Sequence, residues 1–359
     1  MAKKFGKIQR NFKGIRMKVI LVTGGAGFIG SNFIRHILSK YKDYKIINYD
    51  LLTYAGSLGN LDDVKDNPNY TFVKGDVRDF EVVDKQMQKV DYIVHFAAES
   101  HVDRSIYGSE EFVRTNVLGT QVLLEAAKKN NVKRFVHIST DEVYGSLEKD
   151  DAPFTEETPL APNNPYSASK AASDLLVRAY YKTFGFPAII TRCSNNYGPY
   201  QFPEKLIPLM IINAMSNKKL PIYGKGDNIR DWLYVENHCD AIYEVLNKGN
   251  IGETYNIGGN CEMKNLEVVE NICDILDEIR PKKNSNSYKE QITFVKDRPG
   301  HDFRYAMDIT KINQEFNWKP KESFSSGIRK TIEWYLENEK WWRDIQNKKY
   351  KQERLGVIK

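Results

Sequence analysis

The chain has 359 residues, of which 41% are hydrophobic and 28% charged, enough apolar content for a real core and too much for a disordered chain. No apolar run approaches the roughly 18 residues of a membrane span. The formal charge of +6 hints at an acidic partner, but its position weakens the hint. Residues 1–16 hold Lys3, Lys4, Lys7, Arg10, Lys13 and Arg16 with no acid, and 341–359 carry a further +4, leaving 17–340 at −4.

In chain order, the first segment (1–16) lacks the apolar core of a secretory signal and reads as a solvated basic extension, with Met17 an alternative start. Lys18–Thr23 is a short β-branched run, a buried strand. Phe28–Leu38 has apolar residues at 28, 29, 33, 34, 37 and 38, a helical stripe. Strands follow at Lys45–Asp50, Tyr70–Lys74, Tyr92–Ala97, Arg134–Ser139 and Pro187–Thr191, separated by helical stretches that include Phe112–Lys129 and Ala168–Phe184. This alternation predicts an α/β fold, a doubly wound parallel sheet of the dinucleotide-binding type. Beyond about residue 200 prolines and glycines cluster and the rhythm breaks. The expected organisation is a nucleotide-binding domain over 17–200, with 232–260 returning to it, a smaller lobe from 201–231 and 261–340, and a basic tail at 341–359. Lys282–Tyr288 reads as an exposed polar loop. Cys193, Cys239, Cys261 and Cys273 show no metal spacing and read as free thiols of a reducing cytoplasm; no metal site is expected.

After the first strand, Gly24, Gly25, Gly27 and Gly30 satisfy both G-x-x-G-x-x-G and G-x-G-x-x-G. Such a turn brings backbone N–H groups to a pyrophosphate at a helix N-terminus. Asp50, twenty residues past Gly30, either bonds a ribose 2′-hydroxyl, favouring NAD over NADP, or serves as a turn residue. Asp76, after the third strand, either accepts from an adenine amino group or is a turn carboxylate. Tyr166 and Lys170 stand one helical turn apart, and the ammonium is expected to lower the phenol's pKa and make it a base. Asp141 and Glu142 follow Thr140 at the end of the fifth strand. Adjacent carboxyls in a dry site split their pKa values, one staying protonated and the other ionised.

With these motifs the chain resembles the extended short-chain dehydrogenase/reductase superfamily over nearly all of 17–340, and within it the nucleotide-sugar dehydratases. Further matching stretches are Ala97–Ser105, Asn195–Pro199, Glu204–Pro208, Arg230–Trp232 and Asp297–His301. The resemblance implies that Thr140, Asp141, Glu142, Tyr166 and Lys170 are catalytic. It implies NAD held by Gly24, Gly27, Phe28, Ile29, Gly30, Asp50, Thr53, Asp76, Val77, Ala97, Ala98, Glu99, Thr115 and Asn196 as well as Tyr166 and Lys170. For a nucleotide sugar, with dTDP-glucose resting on the resemblance alone, it implies Ser100, Thr140, Asn195, Lys205, Leu206, Pro221, Ile222, Tyr223, Asn265, Asp297, Arg298 and His301. Arg230 is assigned to the pyrophosphate, since a guanidinium matches phosphate oxygens with paired donors; its alternative is a salt bridge to Asp227 or Asp231. A homodimer through a four-helix bundle of the two long helices is also implied, with no nucleic-acid or membrane partner. The chain departs from the family's DKLTYAG run, having Leu51 where that run has lysine, and in its N-terminal extension. A 4-epimerase or a dehydratase for another nucleotide is the nearest alternative reading, and a non-enzymatic NAD-sensing or nucleic-acid-binding protein the next.

Overall fold

The computed structural model describes residues 16–283, 286–297 and 300–348. The strands are β1 (Lys18–Thr23), β2 (Tyr44–Asp50), β3 (Tyr70–Lys74), β4 (Tyr92–His95), β5 (Arg134–Thr140), β6 (Ala188–Cys193), β7 (Asn195–Tyr197), β8 (Leu220–Tyr223), β9 (Ile229–Tyr234), β10 (Thr254–Ile257), β11 (Glu262–Lys264) and β12 (Ile292–Val295). The helices are α1 (Phe28–Lys40), α2 (Phe80–Met87), α3 (Val102–Tyr107), α4 (Ser109–Phe112), α5 (Gly119–Lys129), α6 (Pro165–Phe184), α7 (Leu206–Met215), α8 (Val235–Lys248), α9 (Asn265–Ile279), α10 (Thr310–Phe316), α11 (Phe324–Glu337) and α12 (Glu339–Lys348).

Seven strands form one sheet in the order β10-β6-β5-β4-β1-β2-β3, and every pair in it is parallel. A parallel sheet must be covered on both faces, which is why its strands are near-continuous apolar runs. On one face Phe33, Ile34 and Ile37 of α1 join Ile242 and Val245 of α8 over the sheet. On the other, Val83 of α2, Leu123 of α5 and Val177 of α6 do the same. The order reverses between β1 and β4, and a ligand crevice opens at such a switch point, beyond the carboxyl ends of the strands. A second core lies in the lobe, built from α7, α9 and α11 against β8 and β9. The lobe also carries the small sheets β11-β9-β7 and β12-β8.

The doubly wound sheet follows the expectation; β10 pairs with β6 at its edge, and α8 packs on one of its faces. Several boundaries move. Strand β7 already pairs with β9 of the lobe, inside the expected 17–200 span. Ile309, Ile312 and Trp318 pack in the main domain's core, so the stretch around α10 belongs there and not to the lobe. The expected helix Phe112–Lys129 is interrupted by a wide π turn at Val113–Leu118, where Asn116 reaches Glu99 and Ser169. The expected exposed loop ends on a buried residue, Tyr288, whose hydroxyl donates to the Arg280 carbonyl. The expected tail at 341–359 is corrected most. Its described part continues α12, with Trp342 1% exposed and Ile345 buried, because these two apolar residues sit one turn apart on an otherwise charged helix. The basic extension at 1–15 and residues 349–359 lie outside the described residues.

Candidate active site

Turn chemistry builds the cleft. Gly24 has φ +70°, and a Cβ there would stand 2.6 Å from the Ala97 amide nitrogen; only glycine lets β1 and β4 end so close together. Helix α1 then begins at Gly27 with no side-chain cap and no acid in its first turn. Its leading N–H groups and positive dipole end are thus left for an anion. Asp50 ends β2 and ties the turn down, accepting from the Ala26 amide at 2.9 Å and the Leu52 amide at 2.7 Å. On the far side, α6 starts on a built cap: Asn164 accepts from the Ser167 amide, Ser167 answers in a capping box, and Pro165 fills the first helical position.

One cleft gathers most of the expected residues. It is lined by Gly24, Gly27, Phe28, Ile29, Gly30, Asp50, Thr53, Asp76, Val77, Ala97, Ala98, Glu99, Thr115, Tyr166, Lys170 and Asn196, all the residues assigned to the cofactor. Ser100, Thr140, Asp141, Glu142, Asn195 and Lys205 line it too. The Asp76 carboxylate is gripped by the Arg78 guanidinium at 2.6 Å. Asn195 presents a buried side-chain oxygen with no hydrogen-bond partner. Lys205 donates to the Ser100 carbonyl at 3.2 Å. Cleft residues that the sequence reading passed over include Tyr54, Phe202, Glu204 and Cys193. Glu204 pairs with Arg104 at 3.0 Å, and the Arg104 guanidinium lies 4.0 Å from the centre of the Tyr54 ring. The Glu204–Pro208 stretch was the available signal for Glu204; Cys193 had none.

Other expected substrate residues lie apart from the cleft walls. Leu206 starts α7; Pro221, Ile222 and Tyr223 form β8; Asn265 starts α9. His301 meets Asp297 at 2.6 Å and the Tyr223 ring edge-on. Arg298 lies outside the described residues. The Arg230 guanidinium is buried and donates to the carbonyls of Ile229, Asp302 and Phe303, stacked on the Tyr305 ring at 4.3 Å. Neither carboxylate weighed as its partner is paired with it: Asp227 takes Lys264, and Asp231 accepts from the Gly259 and Cys261 amides.

At the reaction end, Thr140 donates to Asp141 at 3.1 Å and caps the short turn Asp141–Tyr144 by accepting from the Glu142 amide. Asp141 is buried, and its other oxygen has no partner. Burial and the neighbouring Glu142 hold its carboxyl well above the usual range, which favours its protonated form. Glu142 is met by the Asn164 amide at 3.5 Å. The expectation for Tyr166 is corrected. Burial, then Glu142, push its phenol well above the ordinary value despite the Thr140 hydroxyl. The Lys170 ammonium donates to the Ile138 carbonyl at 2.8 Å, and burial draws it down to about 8. The lysine's charge is therefore directed at the end of β5, while the two acids face the phenol.

A doubly wound NAD-type crevice that holds a Tyr/Lys pair and two adjacent acids defines a nucleotide-sugar dehydratase of the short-chain dehydrogenase/reductase class. The family model described as GDP-mannose 4,6 dehydratase matches residues 21–331. A dTDP-glucose 4,6-dehydratase of Neisseria meningitidis serogroup B is 54% identical over 356 residues, covering 96% of this chain and all of its own. Among solved structures, a dTDP-glucose 4,6-dehydratase of Bacillus anthracis in complex with NAD has a TM-score of 0.83 at 53% identity, covering 91% of this chain and 99% of its own. One from Streptomyces venezuelae, also with NAD bound, has a TM-score of 0.86 at 48% identity with the same coverage. The chain belongs to the dTDP-glucose 4,6-dehydratase family.

Proposed function

We propose that this protein removes water from dTDP-glucose, giving dTDP-4-keto-6-deoxyglucose for deoxysugar synthesis such as that of rhamnose, with NAD as a retained cofactor. The juxtaposition of the buried Asp141 with Thr140, Glu142 and Tyr166 in one cleft carries this reading. A 4-epimerase has no need of two acids, whereas loss of water needs one group to take a proton and another to give one. The glycine turn, the uncapped α1 N-terminus and Asp50 fit a dinucleotide, with Gly27 lining the cleft at the head of α1.

Bound NAD would supply the hydride acceptor for C4 of the sugar and the hydride donor for C6. The protein's residues do the rest. Tyr166 takes the C4 hydroxyl proton, with Thr140 bonding the oxygen; the phenolate this needs, disfavoured by burial, would be favoured by the positive charge of bound NAD. Once C4 is a ketone the C5 proton is acidic, and Glu142 removes it; after hydride reaches C6, Glu142 gives that proton back to C5. Asp141 gives its proton to the departing C6 hydroxyl, for which its raised proton affinity suits it. Lys205, Asn195 and Ser100 orient the substrate, and Arg230, whose charge also reaches Asp141, is assigned to the substrate's pyrophosphate. Dimer formation through α5 and α6, and a cytoplasmic location suggested by four unpaired cysteines, belong to the same proposal. The test is mass spectrometry of the product from dTDP-glucose, with NAD assayed in the denatured protein. A product one water lighter supports the reading; unchanged substrate, or a sugar of unchanged mass, sinks it.

A further inference from the structure

Below the cleft lies a buried polar chain that the proposed reaction does not use. Tyr166, Lys170 and Asp174 occupy successive turns of α6 and so share one face. Asp174 is 1% exposed. One of its oxygens accepts from Arg192 Nε at 2.9 Å, and the other lies 3.4 Å from His137 Nε2. The second arm of Arg192 donates to the Tyr144 hydroxyl at 2.9 Å, and that hydroxyl donates to Asn256 at 2.8 Å. The Tyr144 ring stacks on Phe154. Tyr144 ends the same short turn that begins with Asp141 and Glu142. The chain therefore starts one turn below the lysine and finishes at the acid pair.

We propose that Asp174, Arg192 and Tyr144 are positioning residues for the reaction centre: a buried tie that keeps Lys170 charged and fixes the Asp141–Glu142 turn against α6. Asp174 stands one turn from Lys170 on α6; His95 from β4, His137 from β5 and Cys193 from β6 also lie close enough for their charges to couple to the ammonium, and Arg192 from β6 is bonded to Asp174. Both histidines are buried and held neutral. Burial suppresses the Cys193 thiolate, and Arg192 is a cation. Asp174 is thus the one permanent anion among these groups, and it offsets the cost of burying the ammonium. Arg192 keeps that carboxylate ionised and, by its second arm, transmits position to Tyr144.

The inference rests on the proposed dehydratase reading for its kinetics, but not for its first measurement. In holoprotein labelled with 13Cε-lysine, the Lys170 resonance is identified by its loss in Lys170→Met and titrated by NMR. Asp174→Asn should lower the titration midpoint by about one pH unit or more. Arg192→Gln should raise it, since Asp174 then has Lys170 as its chief cation. Either variant, if folded, decides the point; midpoints unmoved from wild type overturn the tie. In turnover, the alkaline limb of kcat should move with the midpoint while KM holds, and Asp174→Glu should restore it. Tyr144→Phe keeps the ring stack and should leave the Lys170 titration unchanged, yet cut kcat roughly tenfold with NADH building up as elimination lags. A uniform loss of kcat at every pH, paralleled by loss of bound NAD, would mean that these residues merely hold the fold and would end the proposal. A wild type that leaves dTDP-glucose intact counts against the dehydratase reading alone, because the lysine titration needs no turnover.

Discussion

At the residue scale the two acids differ by what surrounds them. Asp141 has a single hydroxyl donor and a buried, unpartnered oxygen, while Glu142 has Asn164 beside it. Replacing Glu142 with Gln should cut kcat by roughly 10²-fold or more and leave C4 oxidation intact, so NADH absorbance should rise on adding dTDP-glucose without product forming. Normal turnover in that variant would show the base to be elsewhere. Gly24→Ala forces a Cβ against the Ala97 backbone at a positive φ, and the purified variant should carry little NAD in the denatured-protein assay. These residues were legible because each belongs to a local pattern, a turn or an i,i+4 pair. Arg230 was legible as a cation but not in its bonds, since two of the three carbonyls it holds come from residues some seventy positions away. The direction of the Lys170 ammonium was hidden for the same reason: its partner is a strand carbonyl that only the packing of α6 on β5 brings within reach.

At the element scale the parallel strands were readable because burial on both faces leaves an unbroken apolar run. Helix α12 was not. It is rich in charge, and its anchoring residues number few, so composition made it look like a tail. Trp342 is 1% exposed and donates from its indole nitrogen to the Tyr335 carbonyl. Trp342→Ala should cost about 3–5 kcal/mol, measured as a lower midpoint in urea unfolding; a tail would lose nothing. The π turn before α5 was equally invisible, because a helical stripe does not reveal one extra residue in a turn.

For the whole molecule, proton linkage gives opposing slopes. His36 and His137 are drawn by burial to about 4 in the fold, against 6.5 when unfolded. Their neutral forms stabilise the protein above pH 6.5, and that stability is lost as the pH falls toward 4. Asp231 runs the other way: burial raises it to about 6, so its contribution is present below its unfolded value and lost as pH rises through 6. His95 and His238 are lowered by burial as well, and Asp141 is raised beside Asp231; with four such histidines, thermal melts should show Tm falling between pH 6.5 and 4, and His36→Gln should flatten that fall. The outer face of the molecule carries a different signal. Val113, Leu118 and Leu175 are 53%, 45% and 56% exposed on the π turn and α6, an unusual concentration of apolar side chains facing water. Leu175→Glu should convert the proposed dimer to a monomer by light scattering; an unchanged mass would place any interface elsewhere.

The Trp341 indole donates to Asn60 at 2.8 Å, and Ile345 packs with Phe202 beside Tyr54 and Ala55. Tyr54 and Ala55 also line the cleft. One wall of the cleft is thus supported by two stretches separated by 281 positions. During synthesis the loop near residue 55 leaves the ribosome long before its brace. A chain stopped before Glu339 should therefore release NAD faster than the 359-residue chain, so firm cofactor retention waits until the brace has been made.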